Sequence, residues 1–556
     1  EVGKHGGTMR LLGPAVQYDN DGYMMHCVQL LNTPGILGDN VTPNVFKSME
    51  VNDDFTEYTF TLREGMKWSD GVPVTSDDIR FAWEDVMWNE DLSPSGPGSA
   101  YCTGGAAGAN PMTLEIIDDY TIKCTFDGPY GGFPVALAIQ GWRSYNELLK
   151  PRHFLEQFHA DYADPDELAA AIAAENFETW LQLFSYKDYN SWNYFRVQSL
   201  EVPKLTPWIL VESSDERCVT ERNPYYWKVD TAGNQLPYID RIDFTYVPDG
   251  EVMTVQQMAG ESDYGCEVVG MPKLALYREN EEAGNYNLKL GNIHRTSGVL
   301  FLNLTNTNEQ WRKVMWNVDV RRALSHAIDR VELIDTVYYG LGDPTHMNPS
   351  EYDPDLANEL LDGAGMDQRD ADGFRLDPDG NPFVIDIEIS TMYYDNAPAS
   401  QLYMQYFKDV GINTTVKTID YQLLTTRLNA NELYGTILHE SSTTWYYKWW
   451  GFGWWDILWN QWWNTQGAEG EEPPQEYKDM RAVVDQTMVV EPTVGRWELK
   501  PQIDQMVYDY VWYLVPSVNQ KQPRIENKDF GNCSDNELCY SIAQTLSMEQ
   551  VFYKSI

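Results

Sequence analysis

The chain holds 556 residues, with 84 acidic against 40 basic side chains and a formal net charge of −44 at pH 7. Because that excess is spread along the chain, nucleic acid and anionic membrane, which are bound through clustered Lys and Arg, are excluded as partners. No apolar run reaches the roughly eighteen residues that a spanning helix needs, and at this length one hydrophobic core does not suffice, so two or three domains are expected.

In chain order, Tyr58–Leu62 alternates as a strand, and Thr75 then opens a helix reaching Val86, an N-cap with Asp77 and Asp78 in the first turn where the helix dipole favours negative charge. Leu114–Ile117 and Thr121–Phe126 read as a hairpin, Asp166–Phe184 as Ala- and Leu-rich helix and Ile242–Val247 as a strand. A second αβ block opens with the apolar strand Gly298–Leu304. One helix is expected over 320–334, where apolar side chains recur at helical spacing. A strand over Pro382–Ser390, a helix over Ser400–Val410 and a strand near Thr414–Ile419 complete an alternation that indicates α/β layers.

Eight of the twenty tryptophans fall within Trp445–Trp463. Interrupted by Gly451 and Gly453 and dotted with Asp456, Asn460 and Gln461, this stretch reads as the lining of a small-molecule site, with rings to stack and a few polar groups to orient a ligand. If Trp454–Trp463 is helical, Trp455, Trp459 and Trp462 form one stripe that serves mainly to pack the domain. Trp449, Trp450 and Trp454, flanking the glycines, are the better candidates for ligand contact. Asp456 either meets the ligand or caps a helix.

Other constellations yield no chemistry. Asp377–Pro382 lacks the spacing of a calcium loop and reads as a turn before a strand. His153 and His159 have no third metal ligand in view, His439-Glu440 is not followed by a metalloprotease histidine, and neither a phosphate loop nor a nucleophile elbow occurs. The seven cysteines (27, 102, 124, 218, 266, 533 and 539) form no CxxC pair, so no metal or cofactor is expected. Cys533 and Cys539 are close enough to close a small disulfide in an oxidising compartment, and the odd total leaves at least one thiol free or paired elsewhere. Glu1 is read as the mature end of an exported chain whose signal peptide has been removed.

Five motifs in register carry a family resemblance: Gly6–Arg10; Pro43–Glu50; Phe60–Gly71 with Pro73–Asp78; Arg222-Asn-Pro-Tyr-Tyr-Trp227; and Asp319-Val-Arg-Arg-Ala-Leu-Ser-His-Ala-Ile-Asp-Arg330. With them the chain resembles the family 5 extracytoplasmic solute-binding proteins of bacterial ABC transporters over nearly its whole length. The resemblance implies an α/β, two-lobed periplasmic-binding-protein fold of type II, in its large three-subdomain form, with a hinge and a central cleft. It places residues 1–45, 200–297 and 505–556 in a discontinuous first lobe, 46–199 in a subdomain inserted into it, and 298–504 in the second lobe. It also implies a non-catalytic, monomeric receptor outside the cytoplasm that hands a small molecule to a membrane ABC permease.

Peptide binders of this kind carry an aspartate for the ligand's ammonium in a Trp-x-Ala-Asp-Tyr stretch. The matching run here is Gly453-Trp-Trp-Asp-Ile457, where the Asp stays and the flanking Ala and Tyr do not. The insertion Asp230–Asp240 and the segment Gly467–Pro474 are similar to the sugar-transport branch, so an oligosaccharide is the expected ligand and an oligopeptide the alternative. Tyr23 occupies a loop that faces the cleft in similar proteins. The candidate contacts are therefore Trp449, Trp450, Trp454, Trp455, Asp456 and Tyr23.

Overall fold

In the computed structural model the described residues are 1–15, 20–33, 40–139, 145–188, 194–292, 295–390, 395–441, 443–533 and 547–556. The chain divides into two α/β units, Glu1–Val269 with Ala275–Gly291 and Pro523–Ile556, and Gly270–Leu274 with Asn292–Gln522. The second boundary lies beyond the position expected from sequence at 505. Leu514 exchanges both backbone hydrogen bonds with Leu300 (3.0 and 2.9 Å), which ties residues 512–515 to the edge of the second unit's sheet.

The first unit is built on Thr8–Gly13, which runs parallel to Arg241–Tyr246; that strand is followed across the sheet by Arg217–Arg222 and Trp208–Ser213, both antiparallel. Met9, Leu11, Trp208, Leu210, Ile242 and Phe244 meet in its core. A second, antiparallel sheet orders Phe46–Val51, Glu57–Leu62, Thr121–Thr125 and Thr113–Asp118. In Glu57–Leu62 the alternation predicted from sequence is complete, with Tyr58, Phe60 and Leu62 wholly buried and the residues between them half-buried.

Thr75 caps the helix Ser76–Arg80 in a capping box with Asp78. The Asp78 carboxylate also accepts from Trp68 Nε1 (3.2 Å) and the Arg152 backbone N–H (3.1 Å), so two residues of the Phe60–Asp78 motif are joined directly in the fold. The helix then widens into a π-helical turn over Phe81–Met87. The region 166–184 forms two helices, Pro165–Ala174 and Trp180–Lys187, because Thr179 and Gln182 make a fresh capping box between them.

In the second unit Arg295–Leu302 pairs antiparallel with Gly435–Ser441, and Val384–Ser390 and Asn413–Ile419 continue the sheet in parallel. The single helix expected over 320–334 is broken at Ile328, where Asp329 accepts from the Glu332 N–H and starts a new helix, Arg330–Tyr338, after Val318–Ala327. Arg321 and Arg330 of the Asp319–Arg330 motif are buried without an ion pair to a carboxylate among the described residues, whereas Arg322 is half-buried and pairs with Asp319 at 3.2 Å. Arg321 donates to the carbonyls of Met315, Tyr510 and Val511, and Arg330 to those of Ser325 and Val515. Arg321 thereby satisfies carbonyls at the C-terminal ends of the helices Glu309–Met315 and Lys500–Tyr510, and burial lowers both guanidinium groups to about 10. No described helix is long and apolar enough to cross a membrane.

A candidate ligand site on the second unit

The tryptophan-rich stretch follows the strand Gly435–Ser441 and forms two short helices, Thr444–Trp450 and Ile457–Asn464, joined by a tight turn. Two glycines make the turn. A side chain at Gly451 would stand 2.9 Å from the Cα of Tyr447, and Gly453 has φ +93°, a conformation that L side chains rarely adopt. The helix therefore begins at Ile457 rather than at Trp454, with Asp456 in its N-cap position.

Beneath the turn lies an aromatic nucleus centred on Trp455, which is wholly buried. It stacks on Trp512 (centroids 5.3 Å apart, planes at 23°) and meets Trp459, Tyr477 and Tyr513 at 6.3, 5.8 and 5.9 Å. Its backbone carbonyl accepts from the Leu304 N–H at 2.8 Å. The indole N–H groups of Trp455, Trp459 and Trp512 are buried with no acceptor among the described residues, as is that of Trp449. Each such donor costs about 1–3 kcal/mol, so the nucleus is held by ring packing in spite of its polar atoms.

Asp456 is buried as well. One carboxylate oxygen accepts from the Gly453 N–H (2.6 Å) and the other from the Tyr477 hydroxyl (2.7 Å). Burial raises this carboxyl to about 6, against the pull of those hydrogen bonds and of Arg481, and keeps the Tyr477 hydroxyl far above its ordinary value. Arg481 donates to Asn460 Oδ1 (2.7 Å), Asn464 Oδ1 and the Tyr477 oxygen, and lies over the Phe452 ring at 4.0 Å. Lys448 pairs with Asp485 at 2.6 Å, and Asp485 also accepts from the Trp463 indole.

The candidates named from sequence thus separate. Trp449, Trp450 and Trp454 are half-buried around the turn, and Trp454 donates its N–H to the Trp450 carbonyl at 2.9 Å. Trp455 and Asp456 lie beneath them. The expected stripe divides, Trp455 and Trp459 being buried while Trp462 stays half-buried with Lys478 over its face at 5.0 Å. Tyr23 belongs to the helix Asn20–His26 of the first unit, and its side chain lies outside the described residues, as does Cys539 of the expected disulfide. Among the described residues no group of His, Cys, Asp and Glu is arranged to hold a metal.

Tyr477, Arg481, Trp512 and Tyr513 were not nominated from sequence. A weak signal existed in the spacing of Tyr477, Arg481 and Asp485 along one face of the helix Gln475–Val489, and in the aromatic pair Trp512-Tyr513.

Two α/β units, each with sheets of its own and joined by several chain crossings, define the two-lobed binding-protein fold. Residues 40–471 match the family described as bacterial extracellular solute-binding proteins, family 5 Middle, and the chain belongs to that family. It is 30% identical over 371 residues to the periplasmic alpha-galactoside-binding protein of Rhizobium meliloti, a match covering 62% of this chain and 49% of that protein, so the chain spans about half the length of this relative. Its fold is similar to that of an oligopeptide-binding protein OppA (TM-score 0.69, 26% identity, 100% of this chain and 91% of the other). It is also similar to the periplasmic binding protein MelB of Agrobacterium fabrum C58, solved with stachyose (TM-score 0.73, 19% identity, 99% of this chain and 85% of the other).

Proposed function

We propose that this chain is the extracytoplasmic receptor of an ABC importer, capturing an oligosaccharide on the tryptophan-bearing surface of its second unit and delivering it to the membrane permease. It performs no reaction, carries no cofactor and acts as a monomer. The observation that carries the reading is the arrangement of Trp449, Trp450 and Trp454 around the Gly451–Trp455 turn, in a chain related to an alpha-galactoside-binding protein. A pyranose ring offers an apolar C–H face that stacks on an indole, while its rim of hydroxyls needs donors and acceptors at the edge of the rings. Titration calorimetry with stachyose, other oligosaccharides and a peptide panel tests the proposal, and saturable binding to peptides alone would sink it.

A second reading, an oligopeptide receptor, is favoured by the similarity to the oligopeptide-binding protein OppA. A peptide held in extended form is bound chiefly through its backbone, so this reading expects affinity that depends on peptide length and changes little when a single tryptophan of the turn is removed.

A further inference from the structure

The carboxylate next to the turn is already engaged within its own unit. Asp456 accepts from Gly453 through one oxygen and from Tyr477 through the other. Tyr477 in turn accepts from Arg481 at 3.3 Å, and the same guanidinium covers Phe452, the residue between the two glycines, at 4.0 Å. The turn that displays Trp450 and Trp454 is thus pinned by its backbone at Gly453 and by its side chain at Phe452, both through residues of one helix, Gln475–Val489. The charged and titratable groups facing Asp456 are Tyr477 and Arg481 from that helix and Tyr513 from the segment after the helix Lys500–Tyr510.

Resting on the oligosaccharide reading, we propose that Asp456 and Tyr477 are positioning residues for the Trp450–Trp454 surface, and that engaging this carboxylate internally directs the site toward neutral, hydroxyl-rich ligands and away from ligands ending in ammonium. A ligand's ammonium would have to displace Tyr477 from Asp456 and leave the turn without its anchor. Such exchanges are unfavourable in a buried network, where each group left without a partner bears its desolvation cost.

The test uses the full chain with Asp456→Asn, Asp456→Ala and Tyr477→Phe, titrated with stachyose and with tetra-alanine carrying a free or an acetylated amino terminus, and compared ligand-free by near-ultraviolet circular dichroism. Asparagine still offers an oxygen to Gly453 and a donor to the Tyr477 oxygen, so Asp456→Asn is expected to hold stachyose within about threefold of the wild type. Asp456→Ala is expected to weaken it about tenfold or more and to change the tryptophan spectrum of the free protein, with Tyr477→Phe between the two. A loss of about tenfold or more in Asp456→Asn, with an unchanged spectrum, would mark Asp456 as a direct ligand contact and overturn the proposal.

If the chain binds tetra-alanine and no sugar, the oligosaccharide reading fails by itself. The positioning role then stands if acetylation leaves the affinity unchanged, and falls if binding needs both the free amine and Asp456. If neither probe binds, the spectra decide: a change in Asp456→Ala but not in Asp456→Asn supports the anchor, and no change in either overturns it.

Discussion

Trp455 offers a sharp test of how the second unit is held together, because its ring is central and its N–H has no acceptor. Trp455→Ala removes the stack on Trp512 and four other ring contacts from a fully buried position, and large-to-small changes of this kind cost about 3–5 kcal/mol. Trp455→Phe keeps a ring against Trp512 and gives up about 40 Å3, which at about 24 cal/mol per Å3 of residual cavity costs about 1 kcal/mol. It also deletes the buried donor, relieving about 1–3 kcal/mol. The two effects nearly offset, so Trp455→Phe is expected within about 1 kcal/mol of the wild type. Urea unfolding followed by calorimetry and tryptophan fluorescence, with the transition of each unit fitted separately, measures both values. A loss of about 3 kcal/mol or more in Trp455→Phe would mean that the indole nitrogen has a partner, and the account of the nucleus would fail.

Four further outcomes follow from the same geometry. Trp450→Ala and Trp454→Ala are each expected to weaken oligosaccharide binding about threefold to tenfold, the worth of one aromatic contact, with unchanged affinity in both variants refuting the stacking surface. Asp456 sits at about 6 in the folded chain against 3.8 for the free side chain; the folded state binds this proton more tightly, so its contribution weakens stability as pH rises from about 4 through about 6, by about 3 kcal/mol in all. Asp456→Asn should therefore gain on the wild type across that interval, and a difference that stays constant from pH 4 to 7 would contradict the sign. Arg321→Leu leaves the carbonyls of Met315, Tyr510 and Val511 without their donor and should cost about 3–5 kcal/mol; lysine, lacking the planar fork, should recover only part of it, whereas full recovery would show that charge alone suffices there. A net charge of −44 predicts a melting temperature that climbs with sodium chloride up to about 1 M as self-repulsion is screened, and a flat profile would show the charges to be compensated locally.

Features set by neighbours in the chain were legible from sequence. The alternation over Tyr58–Leu62 and the cap at Thr75 each depend on a few adjacent residues, and both are present. Where one local signal competed with another the outcome was harder to read: apolar spacing over 320–334 suggested one helix, but Asp329 satisfies the first turn of a second helix and the chain breaks there. The second-unit boundary was misplaced because the pairing of Leu514 with Leu300 joins residues far apart in sequence.

The tryptophan stretch shows why a site is harder to read than a fold. Composition marked 445–463 as unusual, and the glycines were recognised as part of the reason, yet which rings are buried depends on partners outside the stretch. Trp455 is covered by Trp512 and Tyr513, and Asp456 is engaged by Tyr477. A helical stripe of Trp455, Trp459 and Trp462 assumes one continuous helix. Gly453 at φ +93° and the helix start at Ile457 leave Trp455 outside the helix; it is buried with Trp459 in the aromatic nucleus, while Trp462, the third position of the stripe, stays half-buried. Trp450 and Trp454 are half-buried at the turn, and Asp456 is buried. In this arrangement the carboxylate holds the turn through Gly453 and Tyr477 from beneath it, a distinction that residue type and spacing alone do not carry.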